Sequence, residues 1–220
     1  MIKTVFFDTN GTLYDSEEFD DAQSKRAVMM LAERKNIPLD NAKVLFKEKE
    51  AELKSRMQHV AKAHVLIEFG ISRNEWQEYL SKLNPAKFLV EDKELEIIIS
   101  GLSKKYYLGI LSNVTETFVV NILNTLKLNP AHFKYMVTSD NTIESKPHEE
   151  PFLKAIELSG NEPRDVVYVG DSYTKDIVPA LRAGMKTIWV TDEKDKKEST
   201  ECIGNIRQIG QGLERLSAKF

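Results

Sequence analysis

The sequence predicts an α/β protein: a Rossmann-like, doubly wound parallel sheet with a four-helix-bundle cap domain inserted after the first strand. Five short apolar runs, each closed by a polar residue, indicate the strands. Helix-length segments separate the later runs, and strands that alternate with helices are typical of a parallel sheet. The stretch 16–89 breaks this alternation, because its apolar residues recur with helical spacing.

The predicted strands are residues 3–7, 107–111, 135–138, 166–169 and 187–190. These runs are rich in Val, Ile, Phe and Tyr and do not alternate with polar residues, which is typical of strands buried on both faces. The segments 116–126, 150–158 and 175–183 have the length of helices. The segment 206–216 is predicted to be an amphipathic helix that packs on one face of the sheet.

The inserted stretch is predicted to form four helices, at 22–35, 41–58, 60–69 and 74–83. Glycine, proline and asparagine punctuate it at 36–38, at Gly70 and at 84–85. Helices of this length in succession favour a four-helix bundle. We therefore assign residues 1–15 and 90–220 to an α/β core and residues 16–89 to a helical cap domain.

Composition narrows the class of protein. The 220 residues include 31 basic and 34 acidic ones, for a net charge of −3, and no basic stripe suggests a nucleic-acid partner. Cys202 is the one cysteine, so an internal disulfide and a CxxC site are excluded. No apolar run approaches the roughly 20 residues that span a bilayer. We expect a cytoplasmic protein that is a monomer or a weak homodimer. The charge run 192–198 is expected to form a solvated loop.

Polar residues follow the predicted strands at the edge where open parallel sheets bind ligands. Asp8, Ser112-Asn113 and Asp171 end strands, and Lys146 lies on the loop after the third strand. A carboxylate that approaches a phosphate is repelled by about 4 kcal/mol at 4 Å and an effective dielectric of 20. A Mg²⁺ ion held by Asp8 and Asp171 removes that repulsion. The set therefore favours phosphoryl transfer, with Lys146 as a neutralising cation.

Four segments resemble, in chain order, the motifs of the haloacid dehalogenase-like superfamily. They are FFDTNGTL at 6–13, LSN at 111–113, KP at 146–147 with PF at 151–152, and GDS at 170–172 with Asp176 and AGM at 183–185. One such match is weak evidence, but four in order with strand contexts are specific. A helical insert between the first and second motifs is where this family places its first type of cap.

The resemblance implies a role for each matching residue. Asp8 is expected to be the nucleophile that forms an aspartyl-phosphate. Ser112, Asn113 and Lys146 are expected to bind the phosphoryl group. The implied Mg²⁺ ligands are the Asp8 carboxylate, the Asn10 main-chain carbonyl, Asp171, and Asp176 in or just behind the metal shell. The implied substrate is a small phosphorylated metabolite, either a phosphomonoester or a phosphoanhydride.

Asn10 departs from the family pattern. Phosphatases of the family carry a second Asp at this position, which protonates the leaving group and later activates water. Asparagine cannot transfer a proton, and general acid–base assistance is typically worth about 10²–10⁴ in rate. Three explanations stay open: a substrate with a good leaving group, a proton from another group, or an engineered Asp→Asn change.

Two other functions compete with the phosphatase hypothesis. A 2-haloacid dehalogenase uses the same nucleophile on carbon without metal, but the family's dehalogenases usually carry Tyr at position 10 and lack the Gly-Asp-Ser run. A catalytically impaired homologue that binds a phosphorylated ligand is the other alternative. Asn10 favours it, whereas an intact Asp8, Asp171 and Lys146 argue against it.

Overall fold

The structure is a computed structural model that describes residues 1–57, 59–192 and 200–218. The chain divides into two compact units, Met1–Asp15 with Leu89–Phe220, and Ser16–Phe88. Of the charge run that was predicted to be a solvated loop, residues 193–198 lie outside the described residues.

The first unit contains a sheet of six parallel strands in the described residues, in the order β3-β2-β1-β4-β5-β6. The strands are β1 (Thr4–Phe7), β2 (Tyr107–Leu111), β3 (Phe133–Val137), β4 (Val166–Gly170), β5 (Lys186–Val190) and β6 (Glu201–Ile203). The chain moves outward from β1 to β3 and then restarts on the other side of β1 with β4. The predicted doubly wound parallel sheet is therefore confirmed.

The second unit is helical. It contains α1 (Glu17–Lys35), α2 (Leu39–Lys54), α3 (Lys62–Ile67), α4 (Arg73–Ser81) and a 3₁₀ turn at Pro85–Lys87. Helix α1 contacts the other three helices. It begins earlier than predicted because Ser16 caps it by accepting the Phe19 N–H at 3.2 Å.

Further helices flank the sheet in the first unit. They are α5 (Lys93–Ser103), α6 (Glu116–Thr125), α7 (Glu150–Ser159), α8 (Val178–Arg182) and α9 (Ile209–Ala218). The sequence analysis did not predict α5 or β6. Helix α5 is capped by Asp92, which accepts the Leu95 N–H at 3.0 Å, and buries Leu95, Ile99 and Leu102. No helix in the described parts of the chain combines the length and apolar character that a membrane span needs.

Strand register brings the carboxyl ends of the central strands level. Phe7 at the end of β1 pairs with Ile110 of β2 on one side and Val169 of β4 on the other. These strands are held by a buried apolar cluster that includes Phe6 and Phe152. The residues that follow β1, β2 and β4 therefore emerge side by side at one edge of the sheet.

Candidate active site

Asp8 follows β1 directly and is almost fully buried, with a residue exposure of 3%. Its main-chain N–H donates to Val169 O at 2.9 Å, which continues the ladder between β1 and β4 by one residue. Its Oδ1 atom accepts the Thr9 N–H at 2.7 Å and lies 3.0 Å from the Lys146 ammonium. Its Oδ2 atom lies 3.2 Å from the ammonium of Lys175. Both carboxylate oxygens therefore face a cation.

Lys146 lies on the loop between β3 and α7, and its side chain is 1% exposed. Its Nζ atom contacts Asp8, lies 2.8 Å from Asp176 Oδ1 and donates to the Tyr168 hydroxyl at 2.7 Å. The Asn113 side chain holds the main chain of this residue by accepting the Lys146 N–H at 2.8 Å and donating to its carbonyl at 3.0 Å. The loop and its ammonium are thus fixed at both backbone and side chain.

Asp176 is fully buried on a π-helical turn, Tyr173–Ile177, that precedes α8. Its Oδ1 atom accepts the Tyr168 hydroxyl at 3.0 Å in addition to its contact with Lys146. Its Oδ2 atom accepts the Ser172 N–H at 3.1 Å. Isolated π-turns occur frequently at functional sites. This one carries Asp176 and its neighbour Lys175 into the same group of charges.

Asp171 follows β4, and the Trp189 indole N–H on β5 donates to its carbonyl at 2.7 Å. Its Oδ1 atom is buried and has no hydrogen-bond partner in the described residues. Gly11 faces this carboxyl group: a Cβ atom added to Gly11 would lie 2.4 Å from Asp171 Cγ, and the glycine φ is +74°. Glycine is therefore needed at position 11 both for its backbone angle and for the close approach.

Ser112 follows β2, and its main-chain N–H donates to Val137 O at 2.9 Å. Its hydroxyl lies 3.0 Å from the hydroxyl of Thr9, and both side chains are buried. Asn10 is half-buried on the loop that follows Asp8. The predicted roles of Ser112, Asn113 and Asn10 toward a substrate or metal stay predictions, and the contacts of Asn113 described above are to the main chain of Lys146.

The pKa values of the two strand-end carboxyl groups shift in opposite directions. Burial raises the pKa of Asp8, but the ammonium groups of Lys146 and Lys175 outweigh it, so its pKa lies below the ordinary 3.8. Burial raises the pKa of Asp171 to about 6; Asp8 and Asp176 add to the rise, whereas Lys175 and Lys146 oppose it. The pKa of Lys175 is raised, first by Asp8 and then by Asp176.

The donor set fits a hard divalent cation. Asp8, Asp171 and Asp176 each offer a carboxylate oxygen, and these atoms lie within 4.8 Å of one another. Mg²⁺ prefers oxygen ligands, carboxylates above all. Asp171 Oδ1 and Asp8 Oδ2 are both buried without a hydrogen-bond partner in the described residues, and a cation offsets the cost of such buried carboxylate oxygens.

The structure brings four of the predicted residues, Asp8, Lys146, Asp171 and Asp176, into one cluster. Sequence reasoning missed three others: Thr9, Tyr168 and Lys175. Tyr168 lies within β4, and an aromatic residue in a buried strand is common and does not indicate a functional role. In the sequence, Lys175 looks like an ordinary helix lysine. A π-turn directs its side chain toward the cluster, and no residue pattern predicts that turn. Thr9 directly follows the nucleophile candidate, and this adjacency was the available signal.

Comparison with known proteins agrees with this geometry. The family model described as haloacid dehalogenase-like hydrolase matches residues 5–190. A phosphoglycolate phosphatase from Aquifex aeolicus is 28% identical over 84% of this chain and 83% of its own length. A glyceraldehyde 3-phosphate phosphatase from Methanothermobacter thermautotrophicus is 29% identical over 90% of this chain and 89% of its own.

A crystal structure of a HAD phosphatase from Thermococcus onnurineus has the same fold, with a TM-score of 0.71 and 24% sequence identity. The similarity covers 96% of this chain and 98% of that one. The family model spans most of the chain, from residue 5 to residue 190. The protein is thus an enzyme of the haloacid dehalogenase-like hydrolase family, as the four motifs predicted.

Proposed function

We propose that this enzyme is a Mg²⁺-dependent phosphatase that hydrolyses a small phosphorylated metabolite through an aspartyl-phosphate on Asp8. One observation carries the proposal: three carboxylates with oxygens within 4.8 Å of one another adjoin a buried, rigidly held lysine. Phosphoryl transfer needs a carboxylate nucleophile beside cations that neutralise the phosphate. The cluster supplies both.

Each residue has a role in this reaction. A carboxylate oxygen of Asp8 forms a bond to phosphorus while the bond to the leaving oxygen breaks, and water later releases phosphate from Asp8. The Lys146 ammonium, positioned by Asn113 and Tyr168, neutralises a phosphoryl oxygen. Asp8, Asp171, Asp176 and the Asn10 carbonyl would hold a Mg²⁺ ion, which would supply the remaining positive charge. The Ser112 hydroxyl donates a hydrogen bond to the phosphoryl group.

Relatives support a small phosphorylated metabolite as the substrate. Two are named for the phosphomonoesters phosphoglycolate and glyceraldehyde 3-phosphate, and others, matched over about half of the chain, are named as pyrophosphatases. Because Asn10 cannot donate a proton, we propose that the preferred substrate has a leaving group that needs little protonation, as in a phosphoanhydride or acyl phosphate. The helical unit Ser16–Phe88 is proposed to serve as the cap that selects the substrate.

The metal-dependent phosphatase is favoured over the metal-free dehalogenase. A metal-free site supplies no divalent cation to a buried carboxylate. The Oδ1 atom of Asp171 has no hydrogen-bond partner in the described residues, and burial raises the pKa of this group to about 6. A cation at this carboxylate removes the cost of keeping it ionised at neutral pH.

The test is phosphate release from a panel of phosphomonoesters, pyrophosphate and acetyl phosphate, measured in Mg²⁺ and in EDTA. We expect Mg²⁺-dependent turnover by the wild-type protein, and faster turnover of phosphomonoesters, by about 10²–10⁴, in Asn10→Asp. If Asn10→Asp raises the turnover of acetyl phosphate as much as that of phosphomonoesters, the leaving-group argument is wrong. The phosphatase proposal fails if both proteins are folded and neither shows Mg²⁺-dependent turnover.

A further inference from the structure

We propose that Lys175 is a tethered cation that competes with Mg²⁺ for the Asp8 carboxylate, so that Mg²⁺ binds when the Lys175 ammonium withdraws. This inference rests on the proposed function, since it concerns the same metal site. It assigns to Lys175 a regulatory effect on metal affinity.

The π-turn explains why Lys175 reaches the site. Ser172 begins this turn: its hydroxyl accepts the Lys175 N–H at 3.3 Å, and its carbonyl accepts both the Asp176 and Ile177 N–H groups. A π-helix has more residues per turn than an α-helix, so successive side chains diverge by a smaller angle. Lys175 and Asp176 are neighbours in sequence, and this widened turn lets both side chains face Asp8.

The Lys175 ammonium lies against the carboxylates that are proposed to hold the metal. It is 3.2 Å from Asp8 Oδ2 and 3.9 Å from Asp176 Oδ2. The other Asp8 oxygen, Oδ1, already receives the Thr9 N–H and the Lys146 ammonium. A divalent ion that binds Asp8 through Oδ2 must therefore share that oxygen with Lys175 or displace it.

Mutual repulsion makes displacement the favoured outcome. A divalent and a monovalent cation that both contact one carboxylate oxygen are within a few ångströms of each other, where repulsion inside a protein is strong. Among the described residues the cluster holds three carboxylates and two ammonium groups, which leaves a formal charge of −1. Mg²⁺ with both lysines in place reverses that sign to +1.

Of the two lysines, Lys175 is the one that can leave. The Lys146 side chain is 1% exposed and is tied to Tyr168, Asp176 and Asp8. The Lys175 side chain is 18% exposed and therefore has a path to water. A long, flexible lysine side chain can return its ammonium to solvent, and repulsion from Mg²⁺ offsets the loss of its contact with Asp8.

The first experiment measures the Mg²⁺ dissociation constant by isothermal titration calorimetry on metal-stripped protein at pH 7.5. Lys175→Met removes the charge and keeps an unbranched side chain. We expect Mg²⁺ to bind this variant at least about tenfold more tightly than the wild type, which corresponds to about 1.4 kcal/mol. Lys154→Met is the matched control, because it removes the same charge and Lys154 pairs with Glu157 within helix α7. Its Mg²⁺ affinity should equal that of the wild type.

The outcomes separate this inference from the proposed function. If Mg²⁺ binds Lys175→Met no more tightly than the wild type, Lys175 is not a competitor and the inference is wrong. If Mg²⁺ binds neither protein, the Mg²⁺-dependent function itself fails. Tighter binding in Lys175→Met with unchanged binding in Lys154→Met supports both.

A second measurement uses wild-type protein and does not depend on whether the variant folds. Amine-reactive labelling followed by mass spectrometry reports how accessible the Lys175 ammonium is. We expect labelling of Lys175 to rise several-fold with saturating Mg²⁺, relative to Lys154 and to NaCl at the same ionic strength. Labelling of Lys175 that stays constant or falls would overturn the displacement.

Discussion

Asp8 and Asp171 follow neighbouring parallel strands and contribute to one cluster, yet their pKa values shift in opposite directions. Asp8 lies between two ammonium groups, and its pKa is held below its ordinary value. Asp171 has a buried oxygen without a hydrogen-bond partner in the described residues, and burial raises its pKa to about 6 although Lys175 opposes the rise. The comparison shows that the two lysines outweigh burial at Asp8 but not at Asp171.

The largest expected effect is on turnover in Asp8→Asn. An amide is not a nucleophile toward phosphorus, so we expect Mg²⁺-dependent phosphate release to fall by at least about 10⁴-fold. Steady-state phosphate release on the best substrate of the panel measures this loss. Glu214→Gln, which removes an exposed charge on α9, should keep wild-type turnover. Residual activity within tenfold of the wild type would remove Asp8 from its role.

The same substitution should weaken the fold. Asp8→Asn leaves the buried Lys146 ammonium and the partly exposed Lys175 ammonium short of a partner, and breaking a buried pair costs about 3–5 kcal/mol. Because the folded pKa of Asp8 lies below 3.8, its contribution to stability is present above that pH and is lost as the pH falls through the folded value. Urea unfolding of both proteins in EDTA at pH 7.5 measures the difference. If Asp8→Asn is as stable as the wild type or more stable, the ion pairs of Asp8 with Lys146 and Lys175 do not stabilise the fold.

The matching change at the other strand end should have the opposite sign. Asp171→Asn removes a carboxylate that is costly to ionise, so we expect the metal-free protein to gain about 1–2 kcal/mol at pH 7.5. The folded pKa of about 6 exceeds the ordinary 3.8, so the gain grows between these values and is full above pH 6. Urea unfolding in EDTA at pH 7.5 and pH 4 tests both magnitude and direction. Destabilisation at pH 7.5 would show that Asp171 has a partner even without metal.

The smallest expected effect concerns pH. Mg²⁺ binds the ionised carboxylate, and with a pKa of about 6 the ionised fraction of Asp171 falls from about nine-tenths at pH 7 to about one-tenth at pH 5. We therefore expect Mg²⁺ to bind about tenfold more weakly at pH 5 than at pH 7. Calorimetric titration at both values measures this change. An affinity that is constant over this range would show that Asp171 does not control metal binding.

Much of the α/β core was predictable because buried parallel strands leave a strong local signal. The five predicted strands all exist, although β3 begins at Phe133, two residues before its predicted start. Strand β6 was missed because its three residues, Glu201–Ile203, are too few and too polar to stand out. Helix α5 was missed although Leu95, Ile99 and Leu102 recur at helical spacing. That spacing is a sequence signal for α5.

The candidate site was predictable where residues follow strands and was missed where the backbone deviates. Asp8 and Asp171 end apolar runs, so the topology of a parallel sheet places them together. Lys175 depends on a π-turn, which is set by main-chain hydrogen bonds that leave no residue pattern. The Tyr168 hydroxyl depends on burial in three dimensions, where it meets Lys146 and Asp176.

The contact between Gly11 and the carboxyl group of Asp171 has a consequence for the variation that this chain tolerates. Any side chain at position 11 has to displace the carboxyl group of Asp171, and it also has to adopt a φ of +74°. A saturation library at this codon, sorted for folded protein that retains Mg²⁺ affinity, should therefore return glycine with few exceptions. Gly11 and Asp171 are far apart in sequence, yet the residues that are tolerated at one position depend on the other.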